Sequence, residues 1–318
     1  MTAAIICSKL TKRYDARPPV DAVRGVDLSV EVGECFGLLG PNGAGKTTTM
    51  EILEGLLDAT SGQVEILGHQ WGQDAAAIRQ LIGISLQETQ LSEKLTVRET
   101  VALFRSFYPR GLTPEEAIAR VSLEDKSTSW IKNLSGGQKQ RLAVALAIVG
   151  DPQILFLDEP TTGLDPQSRR QLWEIIHAFR KSGRTVMITT HYMDEAERLC
   201  DRVAVVDQGK VIALGSPKEL ISRLGGEHVV DFAVSGGAPF AGEELKQVTS
   251  VNSVRHDAGT FSLSVSEPHL AIPSLLSFLK LRGCELSTLT TRHATLEDVF
   301  VSLTGRHLQE ENEEGKKK

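Results

Sequence analysis

Paired cysteines and long hydrophobic runs are both missing from this 318-residue sequence. The four cysteines form no C-x-x-C pair and are scattered over the chain: Cys7, Cys35, Cys200 and Cys284. This predicts reduced packing residues rather than disulfide partners or zinc ligands, and therefore a cytosolic protein. No apolar run approaches the ~20 residues that a membrane-spanning helix needs. We therefore expect no transmembrane segment, and any membrane role must come through a partner.

A signal peptide and an excess of positive charge are also lacking. The first seven residues have neither the basic start nor the long apolar core of a secretion signal. The formal net charge is −6, which gives no reason to expect nucleic acid as a partner. Hydrophobic residues make up 41% of the chain, as in ordinary globular proteins. The length exceeds that of one typical domain, so two domains are predicted.

A phosphate-binding loop is the feature around which the chain is organised. It fits G-x-x-x-x-G-K-[ST] with Gly40, Pro41, Asn42, Gly43, Ala44, Gly45, Lys46 and Thr47. A buried strand precedes it and a helix with Thr48 in its first turn follows, as the motif requires. Backbone N–H groups and the helix N-terminus would face phosphate oxygens, and Lys46 would add a cation. The alternative, a chance glycine-rich turn, is disfavoured by this context.

Strand-like and helix-like segments alternate in residues 1–224. Strands are predicted over 4–10, 23–32, 35–39, 63–67, 82–86, 154–157 and 185–189, with a hairpin over 203–213. Lys12 to Asp15 reads as a turn, and helices are predicted over 48–57, 74–81, 95–108, from Pro114, from Ser135 to about 149, and over 166–181. This alternation predicts an α/β core with buried, largely parallel strands. Residues from about 88 to 150 form its helical subdomain.

A second domain is predicted from residue 225 to 318, after Leu224-Gly225-Gly226. Its strands are expected over 228–233, 251–256, 260–265 and 284–290, with helices near 242–247 and over 268–281 and 295–304. This order fits a small α+β domain of ferredoxin-like type. The charged tail, about 309–318, has the composition of a disordered segment.

Two further motifs carry chemistry. The apolar strand 154–157 delivers Asp158, a carboxylate that can orient Mg²⁺ beside Thr47. Glu159 follows at once, placed to polarise an attacking water. Alone, this pair would more often be an acidic strand end. A second anion-binding element opens a long helix with Leu134, Ser135, Gly136, Gly137 and Gln138.

Together these motifs resemble the nucleotide-binding subunits of ABC transporters. The match covers roughly residues 3–224 and includes the phosphate loop, Gln87, LSGGQ at 134–138, ILFLDEP at 154–160, Gly163-Leu164-Asp165 and His191, in the family's order. The resemblance implies a P-loop NTPase core of ABC type with an antiparallel β subdomain and a helical subdomain. Residues beyond 224, including Leu296 to Phe300, look like the extension of drug-resistance and type-2 exporter ATPases. The segment 113–133 is several residues shorter than usual in the family.

The resemblance implies roles around one ATP molecule. Tyr14 would stack on adenine, and Lys46 with the loop amides would hold the β- and γ-phosphates. Thr47, Gln87 and Asp158 would surround Mg²⁺ and the attacking water. Gln87 would also be a catalytic residue. By itself, a tyrosine in a turn is more often just half-buried.

Other positions are implied to act in catalysis or across a dimer. Glu159 would be the general base, and His191 would contact the γ-phosphate, although a lone histidine after a strand is more often a packing residue. Asp165 would communicate between subunits. Ser135 and Gly137, with the rest of LSGGQ, would contact ATP bound to the second copy, since the family's subunits pack head to tail.

The expected function is therefore ATP hydrolysis that powers a separately encoded permease, for export rather than import. The protein would be a homodimer on the inner face of the cell membrane. The alternative is a soluble ABC-type ATPase acting on ribosomes or DNA, but those classes usually carry two ATPase domains or long coiled coils. A pure binding module is disfavoured because Lys46, Asp158, Glu159 and His191 are all present.

Overall fold

The computed structural model describes residues 2–87, 89–237, 240–257 and 259–305, which belong to two compact units. The first unit extends to Leu214 and the second begins at Gly215. The expected boundary lay later, between residues 224 and 225. The difference arises because helix Pro217–Ser222, with Leu220 buried, packs on the last helix of the second unit. The charged tail at 309–318 and Glu88, where the helical subdomain was expected to begin, lie outside the described residues.

Nine strands, seven α-helices and two 3₁₀ helices, Glu124–Lys126 and Ile131–Asn133, are described in the first unit. The strands are β1 (Ala3–Tyr14), β2 (Val20–Glu31), β3 (Cys35–Leu39), β4 (Ser61–Ile66), β5 (Ile82–Ser85), β6 (Ile154–Asp158), β7 (Thr185–Thr190), β8 (Arg202–Asp207) and β9 (Lys210–Gly215). The helices are α1 (Lys46–Leu53), α2 (Trp71–Leu81), α3 (Val97–Arg105), α4 (Pro114–Arg120), α5 (Gly136–Ile148), α6 (Pro166–Lys181) and α7 (Met193–Leu199).

A six-stranded sheet in the order β5-β6-β7-β3-β8-β9 forms the centre of this unit. Its strands β5, β6, β7, β3 and β8 pair in parallel. Every residue of β3, β6 and β7 is buried, as expected for parallel strands covered on both faces. Register places Leu39 beside Thr190, and Asp158 beside Thr189. The carboxyl ends of β6, β7 and β3 therefore lie side by side, and this edge carries the candidate site.

The first unit also contains the expected antiparallel and helical parts. An antiparallel sheet in the order β2-β1-β4 has Ile5 and Leu10 in a core shared with Phe36 and Phe156 of the central sheet. The helical part includes α3, α4 and α5, whose N-termini carry capping boxes. Thr113 forms one of these boxes: its side chain accepts from Glu116 N–H at 3.2 Å, and the Glu116 carboxylate accepts from Thr113 N–H at 2.7 Å.

Several local predictions were wrong for reasons of tertiary packing. The expected turn at Lys12–Asp15 is largely strand, because β1 stays paired with β2 as far as Tyr14, which lies opposite Val20. Helix α2 begins at Trp71, three residues before the predicted start, where the Trp71 indole N–H donates to Leu53 O at 3.0 Å. Asp74 has non-helical φ and ψ angles of −118° and 21°, so the helix is kinked there and its part after Asp74 agrees with the prediction. Helix α7, which follows His191, was not predicted.

The second unit has an antiparallel four-stranded sheet. Its elements are α8 (Pro217–Ser222), β10 (His228–Ser235), a 3₁₀ helix (Gly242–Gln247), β11 (Val251–Asp257), β12 (Thr260–Val265), α9 (Pro268–Leu281), β13 (Glu285–His293) and α10 (Leu296–Thr304). The strand order is β11-β12-β10-β13, with each neighbouring pair antiparallel. Phe232, Leu263 and Leu275 lie in its buried core. The order of strands and helices along the chain is that of a ferredoxin-like domain.

Candidate active site

The phosphate loop leaves the end of β3 and passes directly into α1. Two of its glycines are required by their surroundings. A Cβ atom on Gly40 would lie 2.2 Å from Val206 O, and one on Gly45 would lie 2.3 Å from Ala22 O. Gly45 also has φ = 98°, in the left-handed region that side chains disfavour. Because α1 starts at Lys46, its N-terminal N–H groups face the loop, an arrangement that attracts anions.

The Lys46 side chain is folded into this loop and is only 4% exposed. Its ammonium group donates to Gly40 O at 2.9 Å and to Pro41 O at 3.1 Å. It also forms an ion pair with Glu159 Oε1 at 3.3 Å. Burial lowers the pKa of Lys46, and the Glu159 carboxylate opposes that shift. The ammonium group of Lys46 therefore has protein oxygens as its partners.

Glu159 follows β6 in a strained, left-handed conformation with φ = 43°. Its N–H group donates to Thr189 Oγ1 at 2.9 Å, which helps to hold this conformation. The carboxylate Oε2 accepts from Thr162 Oγ1 at 3.2 Å and lies 3.1 Å from His191 Nδ1. Burial would raise the pKa of Glu159, but His191 and Lys46 outweigh it and lower the pKa to about 2. The carboxylate is therefore ionised at neutral pH.

Asp158, the last residue of β6, is buried beside the first turn of α1. Its Oδ1 atom accepts hydrogen bonds from Thr189 Oγ1 and, at 3.4 Å, from Thr47 Oγ1. Burial raises the pKa of Asp158, while these hydroxyl groups and Lys46 act in the opposite direction. A buried carboxylate next to a threonine hydroxyl is a donor pair that Mg²⁺ accepts readily.

These elements border a polar cleft of about 570 Å³. Nine predicted site residues line it: Asn42, Gly43, Gly45, Lys46, Thr47, Thr48, Gln87, Glu159 and His191. Asp158 is held against Thr47 at its base. Gly40 and Pro41 act through their carbonyl groups on Lys46, and Ala44 is buried within the loop.

LSGGQ does not line this cleft; the residues of this motif are predicted to contact ATP bound to a second copy. Ser135 caps α5, accepting from Gln138 N–H at 3.3 Å, while the Gln138 side chain accepts from Ser135 N–H at 2.9 Å. A Cβ atom on Gly136 would have open space around it. One on Gly137 would lie 2.3 Å from Ser168 Oγ, so this glycine lets α5 approach α6 closely.

Asp165 also lies away from the cleft lining and caps α6. Its Oδ1 atom accepts from the N–H groups of Gln167 at 2.9 Å and Ser168 at 3.0 Å, and its Oδ2 atom accepts from Ser168 Oγ at 2.6 Å. The hydrogen bonds from Ser168 lower the pKa of Asp165. Ser168 also lies against Gly137, so the N-termini of α5 and α6 are close together. LSGGQ and Asp165 therefore lie on the same part of the surface.

Tyr14 is at the end of β1 and does not line the cleft. Its side chain is 37% exposed, with the Lys12 ammonium group 5.3 Å from the ring centroid. The ring is therefore accessible to a stacking partner, but it is not one of the residues that line the phosphate cleft.

Three residues of the site were missed by sequence reasoning. Thr189 joins Asp158 and Glu159, Thr162 holds the Glu159 carboxylate, and Ala22 lines the cleft. Thr189 could have been predicted from the sequence, because a polar residue at the end of a mostly apolar parallel strand lies at the sheet edge where such sites form. Ala22 and Thr162 could not, since their roles depend on which segments of the chain are neighbours in the folded structure.

Comparisons with known proteins agree with this geometry. The family model described as "ABC transporter" matches residues 23–162. The Nod factor export ATP-binding protein I of Burkholderia orbicola is 40% identical over 316 residues, covering 97% of this chain and 99% of that protein. The linearmycin resistance ATP-binding protein of Bacillus subtilis is 37% identical over 91% of this chain and 95% of its own length. A solved ATP-binding cassette dimer, in a post-hydrolysis state with ADP and Pi, aligns with a TM-score of 0.61 at 27% identity, covering 67% of this chain and 98% of that one.

Proposed function

The chain belongs to the ATP-binding subunits of ABC transporters, and on that premise we propose that two copies hydrolyse ATP between them to drive export through a separate permease. ATP hydrolysis is the activity expected of this ABC ATPase family. The observation that carries the mechanism is the convergence of Lys46, Asp158, Glu159 and His191 at one edge of the central sheet.

We propose that the Lys46 ammonium group leaves the Glu159 carboxylate and pairs with the phosphates of ATP. In the structure its ammonium group is shared by two loop carbonyls and Glu159. A triphosphate in the loop offers more negative charge than one carboxylate, so the lysine moves to the β- and γ-phosphates. The adenine base is proposed to stack on the accessible ring of Tyr14.

Glu159 is proposed as the base that accepts a proton from the attacking water. Once Lys46 turns to phosphate, the pKa of Glu159 rises from about 2, because one of the two groups that lower it has left. His191 stays within hydrogen-bond distance and orients the carboxylate. The same histidine is proposed to contact the γ-phosphate, and Gln87 to help position the water.

The residues present fit a magnesium ion. Thr47 and Asp158 bring a hydroxyl and a carboxylate oxygen together, and Gln87 contributes an amide oxygen to the same cleft region. When bound, Mg²⁺ neutralises charge on the β- and γ-phosphates. Thr189 holds the Asp158 carboxylate by a hydrogen bond and so fixes the orientation of that ligand.

Head-to-tail dimerisation explains why LSGGQ and Asp165 lie outside the cleft. The Ser135 hydroxyl and open Gly136 stand at the N-terminus of the thirteen-residue helix α5, where an anion would be favoured. Within one subunit that helix end does not line the phosphate cleft. We propose that it meets ATP held by the other copy, with Asp165 next to it at the interface.

Replacing Ser135 with arginine is therefore expected to stop hydrolysis but not nucleotide binding. The bulky side chain would block the facing phosphate, while each phosphate loop still holds its own ATP. Phosphate release and equilibrium binding of radiolabelled ATP measure the two effects. Ser135→Ala is the control, because it also loses the α5 cap, worth about 0.5–2 kcal/mol, without adding bulk. Equal hydrolysis by wild type and Ser135→Arg would remove LSGGQ from the composite site.

A second cleft is proposed as the place where the permease docks. This docking cleft, of about 410 Å³, has Leu56, Ile82 and Ile84 of the core on one side and Phe104, Phe107 and Tyr108 of the helical subdomain on the other. Phe107 is 63% exposed. Strand β5, which contributes Ile82 and Ile84, leads within two residues to Gln87 of the nucleotide cleft. A segment bound here would thus be connected to the ATP site.

Membrane attachment is proposed to depend on the permease. None of the helices that the structure describes has both the length and the hydrophobicity of a membrane span. Export is supported by the names of the relatives, which refer to Nod factor export and linearmycin resistance. Purifying the tagged full chain from washed membranes tests the proposal. A protein with several transmembrane segments should be recovered with it; recovery of ribosomes or DNA instead would support the alternative, a soluble ABC-type ATPase.

A further inference from the structure

Glu54 is a buried carboxylate without a hydrogen-bond partner. It follows the last turn of α1 and is 2% exposed. Among the described residues, neither of its side-chain oxygens accepts a hydrogen bond, and no ion pair includes it. Carboxylates in this condition are costly to the fold, because burial removes hydration and no partner replaces it. Such a group therefore requires an explanation outside the stability of the subunit.

The Glu54 side chain faces the docking cleft, whose other walls are mainly aliphatic and aromatic. Burial, together with the nearby carboxylates of Asp158 and Glu51, raises the pKa of Glu54 to about 8. Two other titratable groups line the cleft: Arg79, which is exposed, and Tyr108, whose own pKa burial raises. Among the described residues, neither a hydrogen bond nor an ion pair joins Arg79 to Glu54. The carboxylate is therefore a buried, unpartnered group in the wall of the cleft, where a group that enters the cleft can pair with it.

We propose that Glu54 is the residue with which the docking cleft recognises a lysine or arginine side chain on a cytoplasmic segment of the permease, an inference that rests on the proposed function. The apolar walls receive the hydrophobic residues of that segment, and Glu54 receives its cation. Charge complementarity supports this occupant, because cytoplasmic loops of membrane proteins carry an excess of lysine and arginine. A pair formed between these mainly apolar walls discriminates strongly between partners.

The recognition can be tested with the full chain in its own membranes. Tagged wild type, Glu54→Gln and Glu54→Met are compared for the amount of permease that is purified with them from detergent extracts. We expect at least ~10-fold less permease with either variant, since removing one member of a buried charge pair weakens binding strongly. Glu51→Gln, on the same helix but outside the cleft lining, is the matched control and should retain wild-type capture.

The outcomes separate this inference from the proposed function. If wild type recovers no membrane protein, the transporter assignment fails and the role of Glu54 fails with it. If wild type recovers a permease and Glu54→Gln recovers as much, the cation-recognition role alone is overturned. Loss of capture in Arg79→Gln but not in Glu54→Gln would likewise overturn it. A Glu54→Gln subunit that loses ATP hydrolysis in isolation would place Glu54 in the nucleotide site instead.

A charge exchange identifies the partner residue. Glu54→Arg should lose the permease, and changing one cytoplasmic lysine or arginine of the permease to glutamate should restore its recovery. If none of these substitutions in the identified permease restores recovery, no cation of that protein pairs with Glu54, and the proposal is wrong.

A pH measurement distinguishes a recognition residue from a structural one. A carboxyl group whose folded pKa, about 8, lies above its ordinary 4.5 binds its proton more tightly in the folded state. The unliganded wild type should therefore lose stability relative to Glu54→Gln as pH rises from about 4.5 to about 8, and the difference should level off above that range. Melting temperatures without nucleotide or metal provide the comparison. If wild type is more stable than Glu54→Met at pH 8, Glu54 stabilises the folded subunit, and the recognition role is wrong.

Discussion

The Lys46→Ala subunit is expected to lose ATP binding and hydrolysis. Lys46 is the cation at the centre of the phosphate loop, with its ammonium group already held by Gly40 O, Pro41 O and Glu159. Removing a buried, charge-assisted contact of this kind costs about 3 kcal/mol or more, which corresponds to ~100-fold weaker binding. Equilibrium binding of radiolabelled ATP measures the loss, and phosphate release should fall to background.

A double variant controls for the partner that Lys46 leaves behind. Lys46→Ala deprives the buried Glu159 carboxylate of its ion pair, which destabilises the subunit. Lys46→Ala/Glu159→Gln removes both charges, so its melting temperature should return toward that of wild type while ATP binding stays weak. If Lys46→Ala hydrolyses ATP near the wild-type rate, the phosphate loop has been wrongly assigned.

Glu159→Gln is expected to bind ATP and hydrolyse it very slowly. The amide keeps the shape of the carboxylate and can still interact with Thr162 and His191, but it cannot accept a proton from water. General-base assistance is worth ~10²–10⁴-fold in rate, or about 3–5 kcal/mol of barrier. ATP affinity should not fall, because Lys46 no longer has to leave an ionised Glu159 to reach the phosphates.

The same variant tests the head-to-tail dimer. If LSGGQ of each copy contacts the ATP of the other, as proposed, an intact γ-phosphate should keep the two copies together, and the variant should run as a dimer in Mg-ATP on size exclusion. Adding Ser135→Arg should return it to a monomer without loss of ATP binding. A Glu159→Gln protein that stays monomeric with saturating ATP would count against this arrangement. Wild-type turnover in the variant would exclude Glu159 as the base.

Residues that act through local backbone were predictable from the sequence. The phosphate loop needs only a strand, glycines and a helix start, and Lys46 and Thr47 follow from that order. The helix Pro166–Lys181 was predicted to the residue, because Asp165 and Pro166 mark its beginning unambiguously. The capping residues Thr113 and Ser135 carry the same kind of short-range signal.

The sequence by itself determined the family, the phosphate loop and the adjacent carboxylates Asp158 and Glu159, because each motif is a continuous stretch whose chemistry is local. Only the tertiary structure decided that Lys46 pairs with Glu159, that Thr189 holds Asp158, and that Glu54 faces the docking cleft. These contacts depend on the strand order β6-β7-β3 and on which helix covers each strand. Apolar periodicity shows that a face is buried, but it does not specify the partner, since hydrophobic burial is non-directional.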